Sequence, residues 1–408
     1  MPTYCSKLHK YFSQLMLFSI AFLAMNQAMA NPGLARQYNV SCSMCHIAFP
    51  KLNAFGQEFA GNGMRMDGWK TSATTDTGDE RLNLLKTSSV AFRAQAFSQL
   101  RTADAVNSNG QQIVNGEMDI QAPYQLKMLS TAPLSDQLTY YFAAIMAEKG
   151  ENGTIIIDDA WLQYDNAFNT GLGVTFGQFQ LSDFMFPRET RLTFQDFLVF
   201  SMADITYERG GIVSTDVGPL SVSIGAANGN GTESQTYNLN SAGYKRPDRT
   251  FDNNRNKKLF GFLGTTVSGV DLGLFASAGN KQGQGDTQVF GFNFSGDISQ
   301  KVFWFGQLLQ ANWNKVQDHS KTINDASWYG GFLGVDFIAN DYWAYSLLYN
   351  YADANDLNDS GTVYEGINVN SITGTISYYL QRNVKAVLEV NYDLLPKDGK
   401  KDGIGHDT

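Results

Sequence analysis

Of 408 residues only 17% are charged, 9 are proline and 3 are cysteine. So few cysteines exclude a disulfide-stapled scaffold, and with 43% apolar residues the chain is neither disordered nor collagen-like. Beyond residue 30 the chain also lacks any apolar run of the ~20 residues that a membrane helix needs, and its mean hydropathy is −0.25. A bundle of membrane helices is excluded. What is plentiful is aromatic or small: 28 Phe, 19 Tyr, 6 Trp and 39 Gly. That balance points to a β-rich chain, either a soluble sandwich or a membrane barrel.

The first thirty residues read as an address. Lys7 and Lys10 form a basic n-region, Leu15 to Ala24 an apolar core of signal-peptide length, and Ala28-Met29-Ala30 a small-x-small cleavage site. This is a Sec-type signal peptide, 1–30, followed by an exported chain. Removing Lys7 and Lys10 leaves 28 basic against 39 acidic residues, a net charge of −11. Such a balance disfavours nucleic acid as a partner and suits cations.

Cys5 leaves with the signal, so the mature chain keeps Cys42 and Cys45, both in Cys42-Ser43-Met44-Cys45-His46. This C-x-x-C-H spacing lets two thiols add to the two haem vinyl groups while the next imidazole reaches the iron as proximal ligand. A thioredoxin-type pair would need a βαβ context. A zinc site would need four ligands, and only the remote His319 and His406 remain. One haem c is expected, held by Cys42, Cys45 and His46. Met66 and Met64 are candidate distal ligands, each equally a packing residue beside the macrocycle. The haem segment, 31–80, is too short to bury a porphyrin alone. Phe49, Leu52, Phe55 and Phe59 fall at helical spacing and are expected to form one wall, the rest of the chain supplying the others.

From about residue 84 the period is two. In Met118 to Met128 the even positions are nearly all apolar and the odd ones mostly polar, and Asn383 to Tyr392, Ser371 to Leu380 and Val289 to Ile298 repeat the pattern. Strands of ~10 residues with one apolar face suit a transmembrane barrel, although sandwich strands alternate too. Loop lengths separate the two. Fifteen candidate strands, from 86–100 to 383–392, are joined by connections that alternate short (216–219, 268–269, 299–300, 381–382) and long (101–116, 180–205, 229–257, 352–366). Short periplasmic turns and long external loops mark an outer-membrane barrel, here 81–408. Bacterial single-chain barrels have even strand numbers, so about 16 strands are expected, the last one missing beyond the tail Pro396 to Thr408.

The stretch Ala35 to His46, followed by Phe49-Pro50-Lys51-Leu52-Asn53-Ala54-Phe55-Gly56 and Asn62-Gly63, resembles the fused outer-membrane cytochrome–porins of iron-oxidising bacteria. The resemblance covers about thirty residues by motif and the barrel by architecture alone. It implies a monohaem cytochrome c plug inside a porin-like barrel in the outer-membrane lipid. The implied activity is one-electron oxidation of extracellular Fe(II), an Fe(II):cytochrome c oxidoreductase, with a periplasmic c-type cytochrome as acceptor. Met64 stands where such sequences often carry an aromatic. Three rivals stay open: a donor or acceptor other than iron, a solute porin with an attached periplasmic cytochrome module, and a haem enzyme with an open distal site.

Carboxylates suited to Fe(II) occur in the expected outer loops: Asp183 and Glu189; Asp248 and Asp252; Asp353, Asp356, Asp359 and Glu365. Solvated acidic loops are equally common on such surfaces. The segment 180–205, with Phe184, Phe186, Phe194, Phe197 and Phe200, is too apolar for a solvated loop and is expected to fold inward or to be held by lipopolysaccharide. Arg93, Gln95, Gln121, Gln125 and Lys127 are inward candidates for the haem propionates, with nothing in the sequence to choose among them.

Overall fold

The computed structural model describes residues 32–66, 74–79, 83–86, 89–100, 105–106, 112–114, 118–148, 155–203, 205–229, 255–280, 286–318, 321–357, 368–381 and 383–395. The expected signal peptide, the tail from residue 396, His319, His406, Asp248, Asp252, Asp359 and Glu365 lie outside them.

Among the described residues, fifteen strands form one antiparallel sheet in which every strand pairs with the next strand of the sheet in chain order. They are β1 (Val90–Leu100), β2 (Met118–Pro133), β3 (Leu138–Glu148), β4 (Ile156–Ala167) and β5 (Leu172–Gln180). The middle of the sheet is β6 (Tyr207–Val217), β7 (Leu220–Ala227), β8 (Lys258–Val267), β9 (Val270–Asn280) and β10 (Asp286–Ser299). It ends with β11 (Val302–Asn314), β12 (Ala326–Ile338), β13 (Trp343–Asp353), β14 (Val369–Gln381) and β15 (Val384–Asp393). The period of two is visible in the burial of each strand. On β13, Trp343, Tyr345, Leu347 and Tyr349 are exposed while Ala344, Ser346, Leu348 and Asn350 are buried. On β14, Ile372 and Ile376 point out, and Ser371, Thr373, Thr375 and Ser377 point in. An apolar exterior over an interior of small and polar groups is the pattern of a barrel in lipid.

The sheet curls and brings its two edges toward each other. Arg93 on β1 and Lys385 on β15 are near enough to repel each other. The Phe194 ring packs on Phe97 of β1 at 5.4 Å, while the Phe194 N–H donates to Glu389 of β15 at 2.6 Å. Connections at one mouth are short turns, such as 134–137, 168–171 and 268–269, and those at the other are long.

Two expectations need correction. The first strand starts at Val90 rather than 86, because 83–85 pairs instead with 74–76 in a separate ribbon. Tyr124, at an even position, faces inward against Phe97 and Phe194. The ladder skips there from Gln95↔Gln125 to Phe97↔Gln121, so β2 carries two extra residues, and the bulge re-aims the side chain.

The lumen is filled from both mouths. From the long-loop mouth, residues 181–206 run inward with a short helix, α3 (Leu198–Met202), burying Phe197, Val199, Phe200, Met202 and Ile205. Phe197 stacks on Phe332 at 4.2 Å and meets Phe186 edge-on at 6.2 Å. Of the two fates expected for this segment, it folds inward. From the short-turn mouth enters the N-terminal segment, with α1 (Pro32–Tyr38) and α2 (Ala54–Gly61) flanking a ribbon of His46–Ala48 with Lys51–Leu52. The two intrusions meet where Leu192 packs with Ala48, Ile338 and Ala344.

Candidate functional site

The N-terminal segment is tied to the barrel near the short turns. Lys51 Nζ pairs with Asp336 at 2.9 Å and lies 4.9 Å over the Phe303 ring. Tyr379 donates to the Phe49 carbonyl at 2.7 Å, and Thr139 to the Gly63 carbonyl at 2.8 Å. Arg65 reaches Asp165 at 2.5 Å and the Ser135 carbonyl at 3.2 Å. Asp336 and Arg65 are almost wholly buried, so each charge is matched rather than left in a dry interior.

The C-x-x-C-H residues sit on a short 3₁₀ turn, Cys42–Met44, that runs into the ribbon. Cys42 and Cys45 are free thiols, the first exposed and the second half-buried. Burial, and then the neighbouring Cys42, push the Cys45 thiol above its ordinary value. Only a donor can face a carbonyl, so His46 Nδ1–H donates to Pro50 O at 3.1 Å. That bond fixes the tautomer and leaves Nε2 as the lone pair available to a metal. Burial lowers the imidazole's pKa, partly opposed by its carbonyl partners, so the ring is neutral at pH 7. The start of α2 closes on this turn: Asn53 caps the helix by accepting from Gly56 N at 2.8 Å, and its own N–H donates to Cys45 O at 2.9 Å.

Cys42, Cys45, His46, Met64 and Met66 all line one cavity of ≈ 210 Å³. Most of its wall is the N-terminal segment, including Leu34, Phe49, Leu52 and Phe59. The rest belongs to the barrel and the inserted segment: Arg93 from β1, Leu129 and Thr131 from β2, Tyr141 from β3, and Glu189 and Thr190. The cavity lies toward the short-turn mouth, since its β2 and β3 residues fall within about five positions of the turn at 134–137, ~16 Å along a strand.

The aromatic wall differs from the expected single helical face. Phe49 and Leu52 stand in the ribbon, where Pro50 interrupts any helix, and only Phe55 and Phe59 are on α2. Phe55 is outside the cavity lining and stacks on Phe59 at 6.2 Å. Met64 and Met66 both reach the cavity. Met64 has φ +61° and its carbonyl accepts from Tyr38 at 2.6 Å.

Glu189 is not in an outer loop. It is drawn inside by Arg93 at 2.6 Å and Lys127 at 2.7 Å, with Asp158 completing the Lys127 pair at 2.9 Å. Asp183, also expected outside, acts electrostatically on Asp159 and Tyr141. Asp353 and Asp356 do sit at the long-loop mouth, accepting from Tyr329 at 3.2 Å and from Ser327 N at 3.0 Å. Among the inward candidates, Lys127 is spent on its two carboxylates, Gln121 donates to Asp119 at 2.7 Å, and Gln125 accepts from Arg93. No spacing in the sequence signals the Tyr141–Trp161 stack beside the cavity, 5.3 Å between centroids.

No family model matches the chain, and no curated protein matches it in sequence. Solved structures match its shape. OmpF of Salmonella typhi, in complex with daunomycin, aligns at TM-score 0.50 and 11% identity over 78% of this chain and 94% of that one. An anion-selective porin from Comamonas acidovorans aligns at TM-score 0.50 and 12% identity over 74% and 88%. The barrel has the outer-membrane porin fold.

The donor set fits a haem c. Two free thiols at the right spacing, an imidazole with Nε2 open, and two thioethers share a largely apolar cavity. The Nε of Arg93 is buried there without a hydrogen-bond partner, so an anionic group in the cavity has a donor waiting.

Proposed function

We propose that this protein is an outer-membrane electron conduit, a monohaem cytochrome fused to a porin-type barrel. On this reading it takes single electrons from extracellular Fe(II) and delivers them to a periplasmic c-type cytochrome. The observation that carries the reading is the shared cavity, in which Cys42, Cys45 and His46 meet two methionines and the barrel's inner wall. Covalent haem c supplies a one-electron couple at that point. Each oxidised Fe(II) loses one electron and becomes Fe(III), and no atom is transferred.

The protein's own residues do the rest. Cys42 and Cys45 would hold the group by thioether bonds, and the Pro50 carbonyl keeps His46 Nδ1 occupied so that Nε2 would bind its iron. Met64 or Met66 would offer a thioether ligand, which raises the potential relative to a second imidazole. Asp158 and Glu189 balance Lys127 and Arg93 on the barrel side of the cavity. The hydrocarbon layer is ~30 Å thick; a redox centre standing inside the wall divides that span.

The test is stopped-flow reduction of the purified haem protein by micromolar Fe(II). Reduction within milliseconds to seconds is expected, and none on that scale removes iron as the donor. The porin fold favours one second reading, a solute porin with an attached cytochrome. Two intrusions filling the lumen argue against it, and rapid passage of small solutes into liposomes carrying the protein would restore it.

A further inference from the structure

We propose that Arg93, on the first strand of the barrel, is the anchor for an anionic carboxylate of the bound porphyrin, so that the barrel itself sets the redox poise of the cofactor. This rests on the haem reading above and deepens it.

The sequence offers five inward polar side chains, and the structure leaves one. Lys127 is enclosed by Asp158 and Glu189 at 2.9 and 2.7 Å. Gln121 is bonded to Asp119, and neither it nor Gln95 nor Gln125 is in the cavity wall. Arg93 lines the cavity, and two of its donors are already used: Nη1 to Glu189 at 2.6 Å and Nη2 to Gln125 at 3.4 Å. Those bonds hold the guanidinium in one orientation. Its Nε–H remains buried without a partner, at a cost of about 1–3 kcal/mol that an acceptor in the cavity would remove. The walls around it are apolar or neutral (Leu129, Thr131, Tyr141 and Thr190), with Glu189 the one anion, and that carboxylate bonds the far end of the guanidinium. A lysine in its place would keep the charge but lose the fixed direction of that N–H. In a dry wall, a cation beside the porphyrin edge stabilises the reduced, less positive state and raises the potential.

The test uses the full chain matured with haem and purified in detergent. The haem-to-protein ratio of the wild type is read first. A wild type without covalent haem sinks the functional reading itself and this proposal with it. With haem present, the midpoint potential of Arg93→Gln is expected to fall by a factor of about ten in the oxidation equilibrium, or ~59 mV for one electron. Arg93→Lys, which keeps the charge, is expected to lie between it and wild type, and Lys301→Gln at the short-turn rim to leave the potential unchanged. A shift below twofold in Arg93→Gln, or equal shifts in the Gln and Lys variants, overturns the anchor while leaving the haem reading standing. Should Arg93→Gln fail to fold, the resonance Raman propionate-bending mode of the wild type and of Arg93→Lys decides. The two are expected to differ, and identical modes overturn the proposal.

Discussion

Gly56 is the tightest point of the candidate site. A Cβ built there would lie 2.1 Å from the Cys45 carbonyl oxygen and 2.9 Å from its carbon, both backbone atoms. Neither atom can rotate away, because Cys45 O is also the acceptor for Asn53 N–H at 2.9 Å. Gly56→Ala therefore has to push α2 off the C-x-x-C-H turn by more than ~1 Å to reach ordinary contact. Overpacking of this kind costs about 1–3 kcal/mol. At tenfold per ~1.4 kcal/mol, the closed site is about 5- to 150-fold less populated. Haem attachment needs both thiols and the imidazole in one geometry, so the haem-to-protein ratio should drop by at least half. Gly61→Ala on the same helix is the control, since nothing lies within 4 Å of its added Cβ and alanine favours the helix. The barrel should keep its heat-modifiable mobility in both variants, because no barrel atom is among those nearest Gly56. A Gly56→Ala protein with full haem content and unchanged potential would refute the reasoning.

Met64→Ala or Met66→Ala, one and not the other, should abolish the methionine-to-iron charge-transfer absorption of the oxidised protein and lower its potential. If neither does, the distal ligand is not a thioether. Lys127→Met strands Asp158, 3% exposed, without its cation, and should cost about 3–5 kcal/mol in urea unfolding of the folded barrel. Phe197→Ala removes the ring stacked on Phe332 at 4.2 Å and should cost a similar ~3–5 kcal/mol. Because that ring pins the inserted segment, the variant should also raise solute leakage in liposome swelling; tightness equal to wild type would show that the segment is held elsewhere.

Much of the barrel was legible from order along the chain. Side chains on a strand alternate between lipid and lumen, so the pattern of Val384 to Asp393 or Ser371 to Gln381 carries its own orientation, and an up-and-down sheet needs only neighbours in sequence to pair. Of about 16 strands expected, fifteen were read along this chain, and fifteen form the sheet among the described residues. The chemistry of Cys42, Cys45 and His46 was equally local, since their spacing is the motif. Where two readings of one pattern competed, the sequence was less reliable: Phe49, Leu52 and Phe59 converge on one cavity, but from a ribbon and a helix rather than a single helix.

The opposite holds for everything that depends on distance across the lumen. Glu189 lies 96 positions from Arg93, and Asp336 lies 285 from Lys51, so no local pattern could join them. Composition hinted that residues 180–205 would not stay in water, yet only the folded barrel shows that this segment meets the N-terminal one at Leu192 and Ala48. The sequence by itself determined the strands, their lipid-facing side and the C-x-x-C-H spacing of Cys42, Cys45 and His46, because each follows from residues a few positions apart. The tertiary structure alone decided which mouth the site lies near, which barrel residues complete it, and which cation in its wall still has a donor to offer, because burial and charge pairing are properties of the enclosed lumen.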